Sequence, residues 1–550
     1  MDLTRTMLSV CWIIIGCSFT LAQTSDNKYW LDEAKATLQQ KLNFAQIKGK
    51  AKNIIMFLGD GMGVSTLTAA RFHSGRIERR GGKSPSLAWD RFPSSGLAKT
   101  YCVDKIVADS GCSATAYLNG VKGNKDTIGV NANVQMMDCA GSKDPLNRTS
   151  SILQWAQDVG KATGVVTTTK VTDASPAGAY AHTANRGWES DADIAGDKYT
   201  TDKSCDDIAK QLIKSEPGKN INVIMGGGRR AFLPRTTPDH EAQGTGDRLD
   251  GQNLIEVWEQ DKVARGLKPK FVFNRKQLLD VNISQTDYLL GSCLLTAHIL
   301  WLFEASHMRY HLEADPVTEP TLAEMTERAI ELLKKQQNGF FLFVEGGLID
   351  KAHHENWAQM AVDETIEMSK AVDVAVSMTQ ESETLIVVTA DHSHAMTLSG
   401  DPRTDDDILT ATMETRRDRK IYTSLAYAQG LGYRESTPAR DTARNFTCTR
   451  FDLNNDRPNN TNLRYRYPAT APRTRANHAG EDVAVFARGP WAHLFTGTFE
   501  QNAIPVMMAY SADMGPGSTP QNNAPPRISL YLVNLLLPLA IVLRKRLTLS

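Results

Sequence analysis

The chain has 550 residues, of which 41% are hydrophobic and 23% are charged, values that exclude a disordered, collagen-like or coiled-coil protein. Lysine plus arginine and aspartate plus glutamate both number 62, so no basic excess points to nucleic acid as a partner. The length fits several small domains or one large α/β unit.

The first predicted element is a secretory signal peptide over residues 1–22. Arg5 supplies the positive start, Met7–Leu21 is the apolar stretch, and Thr20-Leu21-Ala22 is a small-residue cleavage context. Secretion exposes the chain to an oxidising compartment, where disulfides form. Outside this peptide the cysteines are Cys102, Cys112, Cys139, Cys205, Cys293 and Cys448. None has CxxC spacing, and spacing alone leaves their pairing open.

Short apolar runs alternate with helical patterns through the rest of the chain, the helical spacing being clear over 321–335 and 360–377. The predicted strands are Asn53–Leu58, Gly164–Thr168, Asn222–Met225, Gly339–Val344, Thr384–Thr389 and Val483–Ala487. Continuous apolar strands separated by helices predict an α/β fold, with a large, mostly parallel central sheet and helices on both faces. Ligands of such sheets bind beyond the carboxyl ends of the strands, which makes the residues after each strand candidates.

Polar clusters occupy those positions. Asp60 follows the first strand, Glu345–His354 follows the fourth, Asp391–His394 follows the fifth, and Asn477–Asp482 precedes the last. Histidine and carboxylate ligands without cysteine suit Zn²⁺ in a catalytic site, and a set of oxygens alone suits Mg²⁺. A single histidine or aspartate of this kind is more often a structural residue, but four clusters at one sheet edge predict a metal centre.

Spacing within the clusters leaves alternatives open. Asp350 and His354 are four residues apart and share one face if a helix begins there, although His353 competes. Asp391 and His392 offer ligands for a second ion, with His394 as the alternative to His392.

A serine supplies a candidate nucleophile. Ser110 lies between Asp109 and Gly111, just before a helical pattern over Ser113–Leu118, where N–H groups and the helix dipole stabilise an anion. The Gly-x-Ser-x-Gly motif of hydrolases is absent, because Ala108 occupies the position of its first glycine. The pattern therefore favours a serine activated by metal, and the alternative is a serine that only caps the helix.

The run from about Lys52 to Pro490 resembles the animal alkaline phosphatases. The motifs that carry the resemblance occur in the family's order at 53–63, 107–115, 344–347, 389–394 and 478–483. The resemblance implies a homodimeric hydrolase of small phosphomonoesters, acting at alkaline pH through a phosphoserine intermediate. It also implies two Zn²⁺ ions, one Mg²⁺ ion and one structural Ca²⁺ ion as cofactors.

The resemblance assigns a role to each matching residue. Ser110 is similar to the nucleophile, and Arg186 is similar to the arginine that clamps the phosphate. The implied zinc ligands are Asp350, His354 and His478 for one ion, and Asp60, Asp391, His392 and Ser110 for the other. The implied magnesium ligands are Asp60, Ser175 and Glu345. The implied calcium ligands are Glu241, the carbonyl of Phe303, Glu304 and Glu319, the last replacing the family's usual aspartate.

The resemblance also points to residues that lie next to the nucleophile and the ligands. Asp109, Asp173 and Lys351 lie beside the nucleophile or the ligands in sequence, and Asp173 with Lys351 is similar to the bacterial pair where vertebrate relatives carry histidines. Cys139 and Cys205 match the family's disulfide. The other four cysteines have no assigned partners, and Cys112 is interpreted as a small packed residue.

The predicted organisation is a catalytic domain over 23–510, with a variable crown-like segment at about 405–476, a linker over 511–527 and an apolar tail over 528–550. Small residues, a polar spacer and an apolar tail are the pattern of a GPI-anchor signal, which predicts attachment to the extracellular face of the plasma membrane. The basic end Arg544-Lys545-Arg546 fits instead the cytosolic flank of a short membrane span.

Four sequons predict glycosylation at Asn147, Asn282, Asn445 and Asn459. Residues 292–301 look inserted before Phe303, either as an extra packed turn or as an error in the sequence. The sequence disfavours a sulfatase, because Ser110 is followed by Gly-Cys-Ser-Ala and not by the rest of the Cys/Ser-x-Pro-x-Arg motif that those enzymes need. The competing hypothesis from another class is a catalytically inactive cell-surface binding protein on the same fold.

Overall fold

The computed structural model describes residues 27–77, 86–239, 244–267, 269–281, 298–435 and 450–518. Up to residue 517, these residues lie in one compact unit. No helix within these ranges is both long enough and apolar enough to cross a membrane.

The helices and strands are numbered separately in chain order. The α-helices are α1 Asn27–Leu42, α2 Val64–Ile77, α3 Ser110–Asn119, α4 Cys139–Lys143, α5 Ile152–Asp158, α6 Ala174–Ala177, α7 Asp191–Gly196, α8 Ile208–Lys214, α9 Leu254–Ala264, α10 Arg275–Asp280, α11 Leu322–Leu333, α12 Leu348–His354, α13 Ala358–Met378 and α14 Ala503–Ala512. The strands are β1 Asn53–Gly59, β2 Ser94–Lys99, β3 Ala162–Lys170, β4 Val223–Gly227, β5 Pro269–Val272, β6 His298–Leu302, β7 Phe340–Gly346, β8 Thr384–Ala390, β9 Ser393–His394, β10 Met396–Leu398, β11 Thr412–Glu414, β12 Ile421–Thr423, β13 Leu425–Gly430, β14 Ala469–Pro472, β15 His478–Ala479, β16 Val483–Arg488 and β17 Gly497–Glu500.

Ten of these strands form the central sheet, in the order β17-β2-β16-β8-β1-β7-β3-β4-β6-β5. The strands from β8 to β5 in that order are parallel to their neighbours, whereas β16 runs antiparallel to β8 and to β2. The predicted mostly parallel sheet is confirmed. All six predicted strands are present, and their ends differ from the prediction by at most two residues.

The central strands are apolar because both of their faces are covered. Every residue of β1, β7 and β8 is buried, as expected for a parallel strand between two helical layers. Helices α2, α11 and α13 pack together as one group, and α3, α5 and α14 pack as another. Strands β1 and β7 contact helices of both groups, so the sheet lies between them.

The predicted crown-like segment contains small sheets of its own. In its described part β11 pairs with β12, and β13 pairs with β14 and also with β10, which precedes the segment. The segment 292–301 is described only from residue 298, where it forms most of β6 between β4 and β5 of the main sheet. This end of the apparent insertion is therefore a sheet strand, and the expectation of an extra packed turn is wrong there.

Candidate active site and metal centre

The carboxyl ends of three central strands meet at one point. Gly59, at the end of β1, is in register with Gly346 of β7 and with Ala390 of β8. Asp60 and Asp391 are the next residues of their strands, so the strand register alone brings these two carboxylates to the same edge.

One histidine and carboxylate cluster forms around Asp350 on α12. The Nε2 atoms of His354 and His478 lie 3.3 and 3.4 Å from oxygens of Asp350, and 3.3 Å from each other. His394 joins them, with its Nε2 2.6 Å from Asp350 Oδ1. One ligand atom from each of these four residues lies within 4.8 Å of the others, a spacing that fits a single metal ion.

The open choice between His353 and His354 is decided by their partners. Both imidazole nitrogens of His353 are engaged elsewhere, with Thr66 at 3.0 Å and with the Tyr427 hydroxyl at 2.8 Å. His354 instead directs Nε2 towards Asp350 and pairs its Nδ1 with the backbone carbonyl of Ala476. His354 is thus the residue in position to bind a metal, and its second nitrogen is fixed in the way typical of a ligand.

A second cluster surrounds the serine. Ser110 Oγ lies 3.4 Å from Asp60 Oδ2 and 3.3 Å from His392 Nε2. His392 Nε2 is 3.0 Å from Asp391 Oδ2, an atom that is buried and has no hydrogen-bond partner in the described structure. The other Asp391 oxygen accepts hydrogen bonds from the backbone N–H groups of Gly61 and His392. These residues leave one nitrogen and several oxygens directed at a common point beside Ser110.

The implied magnesium ligands Asp60, Ser175 and Glu345 are all buried. Ser175 Oγ is enclosed and makes no hydrogen bond to any described residue. Glu345 accepts hydrogen bonds from the hydroxyls of Thr167 and Thr169 through Oε2 only. Buried polar atoms are normally satisfied, so the orphaned hydroxyl of Ser175 fits a ligand of a cation that prefers oxygen.

The electrostatics of the cluster favour cations. Burial and the neighbouring carboxylates raise the pKa of Asp60 well above its usual range, and that of Asp391 to about 6. Burial also raises the pKa of Glu345 to about 7. Burial lowers the pKa of His354 to about 4 and that of His392 well below its usual value, so both imidazoles are neutral near pH 7. The raised carboxyl pKa values show that negative charge is crowded here, and a bound cation would relieve that repulsion, while neutral imidazole is already the form that binds metal.

Helix α3 begins at Ser110, and Asp109 is its N-cap. The Asp109 carboxylate accepts hydrogen bonds from the N–H groups of Gly111 at 2.9 Å and Cys112 at 3.3 Å. The interpretation of Ser110 as a capping residue is therefore wrong. The same contacts mean that these two N–H groups are occupied by Asp109, so the expected anion site at the helix start is not formed by them.

Arg186 is held in place by two carboxylates. Its Nη1 lies 3.1 Å from Asp109 and its Nη2 lies 3.3 Å from Asp173. Lys351 Nζ lies 3.2 Å from Asp173 and 3.5 Å from Asp350. Burial opposes the charge of both cations, but the surrounding carboxylates raise the pKa of each well above its usual value. Asp173 and Lys351 are therefore not a solvated surface pair, and they lie between the arginine and the metal ligands.

The implied calcium ligands are only partly described. Glu241 lies outside the described residues, whereas Phe303, Glu304 and Glu319 are within them. Arg309 lies 3.5 Å from Glu304 and 3.2 Å from Glu319. Glu319 Oε1 is buried without a hydrogen bond to a described residue, and burial raises the pKa of this side chain to about 7. The described oxygens fit a cation, although a cationic side chain also lies beside them.

Two disulfides are present among the described residues. Cys139 and Cys205 are bonded, as predicted. Cys102 and Cys112 are also bonded, so the interpretation of Cys112 as a small packed residue is wrong. Sequence spacing alone left this pairing open. The remaining cysteines, Cys293 and Cys448, lie outside the described residues.

The predicted glycosylation sites differ in accessibility. Asn459 is exposed, whereas Asn147 is half-buried and donates a hydrogen bond from Nδ2 to the carbonyl of Gly141 at 3.0 Å. Asn282 and Asn445 lie outside the described residues.

A cavity of about 950 Å³ opens above the clusters. Its cationic lining residues are Lys105, Lys125, Arg186, Lys351, Arg473 and Arg475, and its acidic ones are Asp104, Asp109 and Asp126. The sequence reasoning treated Arg186 as the principal anion-binding residue and missed the two arginines at 473 and 475. Their positions, five and three residues before His478, were the signal that could have identified them.

The chain was compared with known proteins. The family model described as alkaline phosphatase matches residues 51–514. The membrane-bound alkaline phosphatase of Bombyx mori is 44% identical over 95% of this chain and 92% of that protein. The tissue-nonspecific isozyme of Gallus gallus is 44% identical over 91% and 92%, and that of Homo sapiens is 42% identical over 89% of each. The solved alkaline phosphatase of the Antarctic bacterium TAB5 shares the fold, with a TM-score of 0.54 at 20% identity over 86% of this chain and all of that one. The chain belongs to the alkaline phosphatase family and is a phosphoric monoester hydrolase of that family.

Proposed function

We propose that this enzyme hydrolyses small phosphomonoesters at alkaline pH through a phosphoserine on Ser110, with two Zn²⁺ ions and one Mg²⁺ ion as cofactors. The observation that carries the proposal is the position of Ser110 Oγ, within 3.5 Å of Asp60 and His392 at the ends of the central strands. A serine hydroxyl is a weak nucleophile that needs activation. The histidine beside Ser110 among the described residues is His392, which the proposal assigns as a metal ligand and not as a base.

The ligand sets follow from the geometry together with the family resemblance. One zinc would be held by Asp350, His354 and His478, and the other by Asp60, Asp391, His392 and Ser110. Magnesium would be held by Asp60, Ser175 and Glu345. His394 is placed as a residue that donates a hydrogen bond to Asp350 and orients it, since outer hydrogen bonds of this kind fix metal-binding carboxylates.

Ser110 and Arg186 have different roles in the proposed reaction. When bound, two zinc ions lower the pKa of a nearby hydroxyl and stabilise charge on the attacking and leaving oxygens. Ser110 Oγ forms the bond to phosphorus while the bond to the leaving oxygen breaks, and water later cleaves the phosphoserine. Arg186 binds two phosphate oxygens through its guanidinium fork, which Asp109 and Asp173 hold in orientation.

A structural calcium ion would be held by Glu241, the Phe303 carbonyl, Glu304 and Glu319. The support for this assignment is the burial of Glu319, whose carboxylate lies with Glu304 beside Arg309. Removal of calcium is expected to lower the unfolding temperature with little change in turnover, which separates a structural ion from a catalytic one.

The assembly is proposed to be a homodimer. Helix α1 buries none of its residues, and its large apolar side chains Trp30 and Leu42 are 59% and 69% exposed. Exposed apolar side chains of this kind on one helix fit packing against a second copy of the chain. Light scattering of the wild type and of a variant lacking residues 27–44 would test the proposal, and a monomeric wild type would contradict it.

The protein is further proposed to be glycosylated at one or more of its sequons and held on the extracellular face of the plasma membrane by a GPI anchor. Attachment is expected between Asp513 and Ser518, which leaves a polar spacer of roughly 8–12 residues before the apolar tail. Phosphatidylinositol-specific phospholipase C should release the protein from cells. Retention of the complete C-terminal tail in membrane-bound protein, seen by mass spectrometry, would contradict the anchor and favour a membrane span.

The decisive experiment is turnover of p-nitrophenyl phosphate at alkaline pH, with and without a chelator, followed by restoration with Zn²⁺ and Mg²⁺. The Ser110→Ala variant provides the matched control, because it keeps the histidine and carboxylate ligands. Chelator-sensitive activity that returns with the metals supports the proposal. A folded, zinc-loaded wild type without such activity would favour the inactive binding protein instead.

A further inference from the structure

A further group of candidate metal ligands lies outside the active-site cavity. Asp363 and Glu367 are four residues apart on α13, so they share one face of that helix. His311, in the short 3₁₀ helix His311–Glu313, contacts the same face. One ligand atom from each of the three side chains lies within 4.8 Å of the others, and none of the three lines the cavity above the serine. These three residues are called the α13 cluster below.

The imidazole of His311 lies between the two carboxylates. Its Nδ1 is 2.8 Å from Asp363 Oδ2, and its Nε2 is 3.6 Å from Glu367 Oε1. The backbone N–H of His311 also donates to the carboxylate of Glu364 at 2.7 Å, so both the backbone and the ring are fixed to α13. An ion bound to one ring nitrogen would leave the other nitrogen with a carboxylate partner, which is the usual arrangement of a metal-binding histidine.

Negative charge is crowded around this histidine. Glu364 is only 4% exposed, and burial, with a contribution from Asp363, raises its pKa to about 8. The hydrogen bond from Asp363 raises the pKa of His311, so the imidazole holds a proton more readily than a free histidine does. A divalent cation in place of that proton would bring more positive charge to the same carboxylates.

Lys370 is the cation that competes for the cluster. Its Nζ pairs with Glu367, three residues earlier on the helix, but its side chain is 58% exposed. Exposed ion pairs contribute little free energy, so an ion that binds Glu367 can displace this lysine. The side chain of His311 is 37% exposed, which leaves the cluster accessible to ions from the solvent.

The ligand types decide which ions suit the cluster. One imidazole with two carboxylates suits a divalent transition-metal ion such as Zn²⁺. Ca²⁺ and Mg²⁺ bind through oxygen atoms, as in the sets proposed above around Glu319 and Ser175. The α13 cluster is therefore different in chemistry from the proposed calcium site, although His311 lies only eight residues before Glu319 in the sequence.

We propose that the α13 cluster binds one divalent transition-metal ion, such as Zn²⁺, and that this ion fastens the segment containing His311 to α13. Helix α13 begins at Ala358, four residues after the proposed zinc ligand His354. The ion would thus stabilise the helix that continues the chain from the active site, while none of its ligands belongs to the catalytic machinery. Its binding should raise the thermal midpoint of the enzyme, because it favours the folded state, and leave turnover unchanged.

The test uses the full holoenzyme, with its active-site metals retained and Mg²⁺ in excess, and titrates it with Zn²⁺ by calorimetry. The wild type should bind one further Zn²⁺ per chain, and excess Ca²⁺ should not displace it. His311→Ala and Glu367→Gln should each weaken this binding by at least about tenfold to a hundredfold, the loss seen when even the hydrogen-bond partners of metal ligands are removed. Lys370→Ala should strengthen it about twofold to fivefold, because a weak competing ion pair is lost.

The matched control is His493→Ala, which removes a half-buried histidine that belongs to none of the candidate ligand groups among the described residues. It should bind Zn²⁺ as the wild type does. The rise of the thermal midpoint in Zn²⁺ should disappear in His311→Ala, whereas a simple ion pair would give a loss of stability that does not depend on zinc. A wild type that takes up no further Zn²⁺, or equal uptake by the wild type, His311→Ala and Glu367→Gln, would overturn the proposal. Lys370→Ala keeps all three ligands, so weaker binding in that variant would also contradict it.

Discussion

Removal of the Cys102–Cys112 disulfide should weaken phosphate binding more than removal of the Cys139–Cys205 disulfide does, although it should cost less stability. The bond closes a loop that ends beside the nucleophile, and the Sγ of Cys102 lies 3.9 Å from the Asp109 carboxylate that orients Arg186. The loop also carries Ala108, whose carbonyl accepts a hydrogen bond from His478. The two cysteines form a small buried cluster with Ala108, so alanine is a suitable replacement that introduces no buried hydroxyl.

The magnitude follows from the loop lengths. A disulfide with a sequence separation of 10 stabilises by about 3 kcal/mol in the chain-entropy treatment, and the Cys139–Cys205 bond, with a separation of 66, by about 4 kcal/mol. The Cys139→Ala/Cys205→Ala variant should therefore lose more stability. The Cys102→Ala/Cys112→Ala variant should show the larger weakening of phosphate inhibition, up to about tenfold. The reason is that the loop closed by this disulfide contains Asp109, which orients Arg186.

The assay measures the thermal midpoint and the phosphate inhibition constant of both variants in saturating Zn²⁺ and Mg²⁺. The Cys139→Ala/Cys205→Ala variant should have the lower thermal midpoint, and the Cys102→Ala/Cys112→Ala variant should have the weaker phosphate inhibition. If the Cys102 and Cys112 variant weakened phosphate inhibition no more than the other variant does, the loop would contribute stability alone and the reasoning would be refuted.

Three further predictions concern the site itself. Ser110→Ala should abolish most turnover while the content of bound metal, measured by elemental analysis, stays close to wild type; undiminished trapping of ³²P on this variant would refute the assignment. Arg186→Ala should weaken phosphate binding by about 1.5–3 kcal/mol for each charge-assisted hydrogen bond lost, and an unchanged phosphate inhibition constant would count against the clamp. The double change Asp173→His with Lys351→His should raise turnover, weaken inhibition by phosphate and increase dependence on added Mg²⁺, because it removes negative charge near Ser175 and positive charge near the phosphate. Steady-state kinetics across a magnesium titration check it, and wild-type behaviour in both respects would contradict it.

The strands and the ligand clusters could be predicted because both depend on local sequence. A strand buried on both faces is a continuous apolar run, so β1, β7 and β8 were identified from composition, and their polar endings followed directly. Asp60 and His478 could be assigned as candidate ligands because each lies in a short, continuous sequence motif of the family. Membership of the family confirmed the enzyme class, whereas the individual metals remain predictions.

The features that sequence reasoning missed depend on contacts between distant segments. The pairing of Cys102 with Cys112 requires the loop to fold back, and nothing in the spacing distinguished this pair from other pairings. The role of Asp109 as the helix cap was hidden because Ser110 is an equally good capping residue by type. In the sequence, Arg473 and Arg475 resemble ordinary surface charges, and only the fold shows that they line the cavity.

The carboxylates of the active site come together only when the central strands pair in the correct register. Asp60 and Asp391 meet because Gly59 pairs with Ala390, and Glu345 lies opposite Leu58 in the same ladder. A slip of one residue in either pairing would move a carboxylate by about 3.3 Å along the strand and turn it to the opposite face. A slipped sheet would still bury much of its apolar surface, but it would have lost the ability to bind metal. Metal uptake during refolding therefore distinguishes molecules with correctly paired strands from compact molecules that are mispaired.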